Sequence, residues 1–529
     1  MSISHLLWAD DLIMLSLDPK TTHKQLDVLN KFCLEWGIEV NEIKTKVMIF
    51  ASNSSKSNPT QQTFKLGEKQ LETVDTYCYL GIVLHRTGEL RTAQQSLKTK
   101  AMRAFFSLKR TVIRSKLSFK SLCMLFDSLI KPVVLYGAPI WTPTSATNKS
   151  IIKQVANQNN VNFISKINRS VPEKIHLSFL KWALGVHKKT SNVGAWGESG
   201  RYPLIYQSVQ LTLNFYKRLI NSSPNTFVYA ALKEQQLLNL PWYRNIEPLL
   251  KFDEMYHLDH VTAYKMTNSK MSSSVPKPDR ATNVNKSYPL PSKKFRVKNV
   301  TENLKGHFTK CWKLEKSKSS KLSFYNTIKN KFARESYLDT VKGFSRRYST
   351  SKLRISAHNL EIEQGRYTNT PRHERICKWC KLSIGSEMVE DEHHFLHDCD
   401  LYNDLRLKLI SNLNKSPLIN NTDNTDSHLQ LNINNSSLKY NLMSLLSPYT
   451  DTNITENNTN MINHHHKAIL NKHIRQNMGS DESKSSVQRH SFILNCVSTF
   501  MYRAIEKRQK FMSDLKVREV NANTIIINF

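Results

Sequence analysis

Leu6-Leu7-Trp8-Ala9-Asp10-Asp11-Leu12-Ile13-Met14-Leu15 is the stretch that most constrains this chain. Two adjacent carboxylates separate two apolar runs, each short enough for a buried strand. The pattern predicts a hairpin with Asp10-Asp11 at its turn. Burying two unpartnered carboxylates is costly, so that turn faces solvent or a cation. A paired carboxylate suits Mg²⁺, a hard cation that takes oxygen ligands and bridges phosphates. The competing reading is a solvated turn, since Asp is common in turns.

Two further stretches extend the pattern. Gly37-Ile38-Glu39-Val40-Asn41-Glu42-Ile43-Lys44-Thr45-Lys46 lies one helix length downstream, and Tyr79-Leu80-Gly81-Ile82 follows. The order aromatic-Ala-Asp-Asp, Gly-x-x-Val-Asn-x-x-Lys-Thr-Lys, Tyr-Leu-Gly resembles the reverse transcriptases of non-LTR (LINE-type) retrotransposons. The usual aromatic is Tyr or Phe; Trp8 keeps a large ring there. The resemblance implies a polymerase palm in which Asp10 and Asp11 hold Mg²⁺. It makes Lys44 a candidate proton donor to the leaving pyrophosphate, with a surface Lys in a turn as the alternative. It also implies a primer-gripping hairpin at Tyr79, Leu80 and Gly81, where the alternative is plain core with a glycine bend. Only nine residues precede Asp10. The family's other metal-binding Asp and its nucleotide-selecting motif lie upstream of this hairpin. The chain therefore looks like the C-terminal part of such a protein, truncated just before its second catalytic motif and expected to be inactive alone.

Charge points the same way. Lys and Arg total 76 against 43 Asp and Glu, a net charge of +33 in 529 residues. Such an excess favours a polyanion, with RNA and DNA the default partners. Eight Cys in this length do not make a disulfide scaffold. Cys33, Cys78 and Cys123 sit in apolar contexts and read as buried thiols. The N-terminus has no basic leader, and no apolar run reaches the ~18 residues of a membrane span. The chain reads as soluble and intracellular, nuclear or cytoplasmic, with no membrane partner.

Thr21 to Trp36 predicts an amphipathic helix with Leu26, Leu29, Phe32 and Cys33 on one face and Gly37 as its stop. Val47 to Phe50 predicts a strand, 51–63 a loop, and Phe64 to Leu84 further strands. From Arg91 to Trp141 the period is helical. Leu97, Ala101, Ala104, Phe105 and Leu108 form one stripe, and Leu122, Leu125, Phe126, Leu129 and Ile130 another, with Pro132 ending or kinking the second. In the family this would be a thumb-like region on the template–primer duplex. Residues 166–260 continue helical, and Asn, Ser, Lys and Pro make 266–292 a linker.

Residues 293–354 hold 18 Lys and Arg against four Asp and Glu. Phe295, Phe308, Trp312, Phe324, Tyr325, Phe332, Tyr337, Phe344 and Tyr348 are interleaved with them. Cations that track phosphates and rings that stack on bases make Lys293, Lys294, Arg296, Arg346 and Arg347 candidate nucleic-acid contacts. The same rings also suit the buried side of basic amphipathic helices.

Cys377-Lys-Trp-Cys380 is followed by Glu392-His393-His394-Phe395-Leu396-His397-Asp398-Cys399. Zn²⁺ takes four N and S donors in a tetrahedron. Cys377, Cys380, His394 and Cys399, as C-x2-C-x13-H-x4-C, supply such a set, with His393 and His397 as rivals for the imidazole. The run from Leu353 through Cys399 resembles the C-terminal zinc-knuckle-like segment of the same elements, in which the His before Phe-Leu is the matched one. Asp391 and Glu392 are expected as acceptors for its imidazole N–H. Ser411 to Asn463 is Asn-, Ser- and Thr-rich and reads as disordered, with His464-His465-His466 incidental. Phe492 to Leu515 predicts a final amphipathic helix.

The expected fold is α+β, a partial reverse-transcriptase palm followed by a mainly α-helical thumb or connector region and a small zinc-knuckle-like module. The segments are 1–86 palm with primer-grip-like hairpin, 87–265 helical region and 266–292 linker. They continue as 293–354 basic helical segment, 355–405 Cys/His module and 406–529 tail with a terminal helix. The expected function is that of a retrotransposon reverse-transcriptase remnant that keeps nucleic-acid binding. The alternative is a nonenzymatic zinc-containing nucleic-acid-binding protein.

Overall fold

The computed structural model describes residues 3–41, 43–51, 62–156, 162–250, 297–414 and 480–525. The linker 266–292, Lys293, Lys294, Arg296 and His464–His466 lie outside the described residues. The fold is mixed α+β, mostly helical with small sheets. It divides into two compact units: 1–104 with 130–175 and 203–308, and 105–129 with 176–202 and 309–529. Among the described residues no single helix is long and apolar enough to cross a membrane.

In the first unit, β1 (His5–Trp8) and β2 (Asp11–Met14) form the hairpin, with Trp8 opposite Asp11. The two turn residues are thus Ala9 and Asp10, and Asp11 opens β2; the turn sits one residue earlier than the sequence predicts. Ala9 takes a left-handed φ of 53°, the twist that a two-residue hairpin turn demands. Helix α1 (Pro19–Trp36) is capped by Asp18, whose carboxylate accepts the Thr21 N–H at 2.8 Å, and stops at Gly37. Next come β3 (Lys46–Val47), β4 (Phe64–Leu66) and β5 (Lys69–Thr73) in the order β3-β5-β4. β3 runs parallel and β4 antiparallel to β5. The strand expected over 47–50 is shorter and begins at Lys46. β6 (Thr76–Tyr79) and β7 (Ile82–His85) form a third, separate sheet.

Leu26 of α1 packs into a core with Phe64, Leu66 and Leu71, flanked by Leu29, Val47 and Ile49. Phe32 does not join it and is 47% exposed. Six residues on from Leu26, at about 3.6 residues per turn, Phe32 points roughly 120° away from it. Leu26, Leu29 and Cys33 are the inward stripe, whereas Cys78, also expected inside, is exposed on its strand.

Helix α2 (Arg91–Thr111) follows β7. The helix Phe119–Leu125 then widens into a π turn over Phe126–Ile130. A short helix, Lys131–Val134, restarts with Pro132 in its first turn, where a missing N–H costs no helical bond.

In the second unit, Phe105, Phe126, Phe179 and Trp182 make an aromatic core, with Phe126 and Phe179 stacked at 4.4 Å. The same unit holds α3 (Asn192–Ser199), whose every position from Val193 on is buried. Its Glu198 carboxylate accepts from Arg354 Nε at 3.1 Å and from the Tyr337 hydroxyl at 2.7 Å. Arg354 also pairs with Glu335 at 2.8 Å, and Lys329 pairs with Glu335. These two carboxylates and two cations are all within 3% of full burial. Burial lifts the Glu198 carboxyl above its usual range, and Arg354 opposes the lift.

Gly200 ends α3 at a φ of 61°. A Cβ there would lie 2.1 Å from the Arg334 backbone nitrogen, part of the strand-like bridge between Ser199 and Arg334. Gly200→Ala is therefore expected to destabilise the protein by more than the ~1–2 kcal/mol that a left-handed residue alone costs. A urea midpoint equal to that of the unsubstituted protein would contradict this close approach.

Candidate metal centre

The Cys/His segment folds as two arms. The first begins at the bridge between Ile376 and Val389, where the Cys377 N–H donates to the Met388 carbonyl at 2.8 Å. Cys377 precedes α4 (Lys378–Ile384), and Cys380 sits in that helix's first turn. The chain then reverses at Gly385, and the Ser386 N–H returns to the Cys380 carbonyl at 3.1 Å. The second arm is a π turn, His394–Asp398. Its i→i+5 bond, from Cys399 N–H to the His394 carbonyl at 2.9 Å, brings those two residues together on one side.

The arms converge on one point. One ligand atom from each of Cys377, Cys380, His394 and Cys399 lies within 4.8 Å of every other, and all four residues are buried. The Cys399 Sγ is 3.9 Å from the Cys377 Sγ and 3.8 Å from the Cys380 Sγ. Cys380 Sγ is 3.4 Å from His394 Nε2. A Zn²⁺ tetrahedron built from ~2.3 Å Zn–S and ~2.0–2.1 Å Zn–N bonds has S···S edges of about 3.8 Å and S···N edges of about 3.5 Å. The donor set therefore fits Zn²⁺ by chemistry and by size, and its four protein ligands leave no open position.

The electrostatics describe a pocket that needs a cation. Cys377 is pushed down to about 4, first by the hydrogen bond from Cys399. Cys380 is pushed up to about 11 by burial and by the Cys377 charge, and Cys399 is raised further, first by its bond to Cys377. Burial disfavours the His394 imidazolium, but the Cys377 thiolate outweighs it and raises His394. One thiolate is thus held alone, and the second and third need positive charge beside them.

Neither rival histidine joins the group. His393 is 54% exposed and bonds Asp398 at 3.0 Å. His397 is buried with its ring 4.8 Å from that of His393. The expected imidazole acceptors are engaged elsewhere. Asp391 Oδ1 accepts the His394 backbone N–H at 3.0 Å. Glu392 Oε1 accepts from Ser356 at 2.7 Å and lies 3.0 Å from His358 Nε2.

The module is also tied to distant sequence. Helix α5 (Asn403–Asn414) follows it, and Arg406 donates to the Cys399 carbonyl at 2.7 Å. Helix α6 (Ser480–Ile525) packs against it. Arg508 grips Glu390 through two bonds of 2.7 and 2.6 Å, and Phe511 meets Trp379 edge-on at 5.2 Å.

The other candidate residues fare differently. Asp10 and Asp11 are exposed on their hairpin. Among the described residues no third metal-binding side chain groups with them. Lys44 is exposed in a turn, its N–H bonded to Asn41 Oδ1 at 3.1 Å. Tyr79 ends β6, and Leu80 and Gly81 form a two-residue turn with φ of 45° and 81°. Left-handed Leu80 is costly; the Tyr136 hydroxyl bonds its carbonyl at 2.7 Å.

In the basic segment, Phe308, Trp312, Phe324, Tyr325 and Tyr337 are buried, so those rings are core rather than base-stacking platforms. Arg347 donates to the Val341 and Leu117 carbonyls, and Arg346 to the Thr499 hydroxyl. A second basic stretch, 91–126, carries nine Lys and Arg with no Asp or Glu. Its strong apolar stripes mask that signal in the sequence.

Comparison with known proteins adds one relationship. A transposon-derived protein of Caenorhabditis elegans is 30% identical over 152 residues, 28% of this chain and 53% of the relative. The chain thus spans about half the length of that relative. No family model matches the chain. No solved structure matches it either.

Proposed function

We propose that this chain is a nucleic-acid-binding polypeptide descended from a non-LTR retrotransposon reverse transcriptase, with a structural Zn²⁺ in its Cys/His module. The observation that carries the reading is the closed tetrahedral donor set of Cys377, Cys380, His394 and Cys399 in a chain related to a transposon-derived protein. The net charge of +33 supports RNA and DNA as the ligands, held chiefly through phosphates. When bound, Zn²⁺ would supply cross-linking rather than chemistry. The chain's own residues do the rest: three thiolates and one imidazole fix the two arms, and the basic surface meets the polyanion.

Polymerase descent is the finer part of the proposal. Two-metal phosphoryl transfer needs carboxylates from more than one place to hold both ions. Asp10 and Asp11 form a pair with no third ligand beside them among the described residues. This chain alone is therefore expected to extend no primer with Mg²⁺ or Mn²⁺. The test compares it with the Asp10→Ala, Asp11→Ala double variant on an RNA template. Extension by the parent above that control would overturn the nonenzymatic half of the reading.

A further inference from the structure

A ladder of rings and cations crosses the second unit. Phe106, 52% exposed, lies 5.6 Å from the Lys109 ammonium. Burial, and after it the nearby Arg114 charge, lowers the proton affinity of Lys109. The Arg114 guanidinium sits 4.3 Å over the Phe344 ring and 5.7 Å from Trp182. Phe344 stacks on Tyr348 at 5.9 Å with 10° between the planes. Lys352 lies 4.1 Å over Tyr348. Gly185 underlies the pair, with room for no side chain: a Cβ there would be 2.4 Å from Tyr348. The loop after it exposes His187, Lys188 and Lys189. Arg110 and Lys116 are exposed on the other flank.

Among the described residues none of Lys109, Arg110, Arg114, Lys116, Lys188, Lys189 or Lys352 makes an ion pair. Like charges held together without counter-charge repel, and an arriving polyanion relieves them. The rings under Arg114 and Lys352 fix two of the cations, so less freedom is lost on binding than for free side chains.

We propose that this surface, centred on Arg114 and flanked by Arg110, Lys116, Lys188 and Lys189, binds the phosphate backbone of a single-stranded nucleic acid. The proposal rests on the nucleic-acid reading above and gives it a location. Arg114 supplies a planar donor group, of which one N–H already bonds the Trp182 carbonyl at 2.6 Å. The surrounding lysines act as point charges, and Phe106 offers an exposed ring to a base.

The test uses the full chain and a labelled oligouridylate strand, with anisotropy read across a salt series. One variant carries Arg110→Gln, Lys116→Gln, Lys188→Gln and Lys189→Gln, all exposed and unpaired, so the fold is untouched. A control of equal charge carries Lys310→Gln, Lys313→Gln, Lys318→Gln and Lys342→Gln. The patch variant is expected to bind at least tenfold more weakly. Its log K–log salt slope should flatten by about 0.7 for each phosphate that it no longer neutralises. The control should change affinity by less than about threefold. A patch variant that binds like the parent, or a control that weakens as much, would overturn this location while leaving nucleic-acid binding intact. A parent that binds phosphatidylserine vesicles and no oligonucleotide would overturn both readings.

Discussion

Glu198→Ala is expected to destabilise the second unit by about 3–5 kcal/mol, the cost of leaving a buried charge without its partner. The reason is the cluster's composition. Glu198 and Glu335 oppose Lys329 and Arg354, and all four are buried, so removing one carboxylate leaves a net positive charge in the core. The Tyr337 hydroxyl also loses its acceptor. The exposed pair Lys298–Glu302, 3.8 Å apart on one helix, is the contrast. Removing Glu302 there should change stability by no more than about 0.5 kcal/mol. Urea unfolding of both variants measures the difference. Equal midpoints would mean that the cluster is solvated rather than buried.

Stripping the metal should have the other large effect. Without Zn²⁺, three thiols and an imidazole share a buried pocket with no cation to hold more than one thiolate, so binding free energy becomes folding free energy. The damage should spread beyond the ligands. Glu390 and Trp379 of the module hold Arg508 and Phe511 of the C-terminal helix α6, and both interactions depend on the module's shape. Chelation is expected to expose 377–399 to hydrogen exchange first and then the stretch of α6 around Arg508. Unchanged protection in both segments after complete metal removal would show that packing alone holds the module. Acidification should act like the chelator, because thiolates and a neutral imidazole are the ligating forms and protons compete for them.

Sequence and structure agree where chemistry is local. Gly37 stops α1 as its position predicts, and the apolar runs beside Asp10 and Asp11 pair as a hairpin, although Leu6, Leu7, Trp8 and Leu12 lie exposed rather than buried. The spacing of Cys377, Cys380 and Cys399 marked three of the residues that the fold brings together, and the resemblance singled out His394 from its rivals His393 and His397. Legibility fails where a residue's environment comes from far along the chain. Trp312 and Tyr325 look like base-stacking rings among cations, but they pack over Gly197 of α3, more than a hundred residues earlier. Glu198 and Arg354 give no sign in sequence that they pair. Arg347 reads as a phosphate ligand, yet it donates to the Leu117 carbonyl. The basic surface around Arg114 joins residues 106–120 with 344–352, and no window of sequence contains both.

The most direct measurement is the metal content of the full chain, purified and kept reduced. The account predicts one Zn²⁺ per chain, none in Cys377→Ser, a sharp drop in His394→Ala, and no change in His393→Ala or His397→Ala. A parent chain with a zinc-to-protein ratio near zero would contradict it.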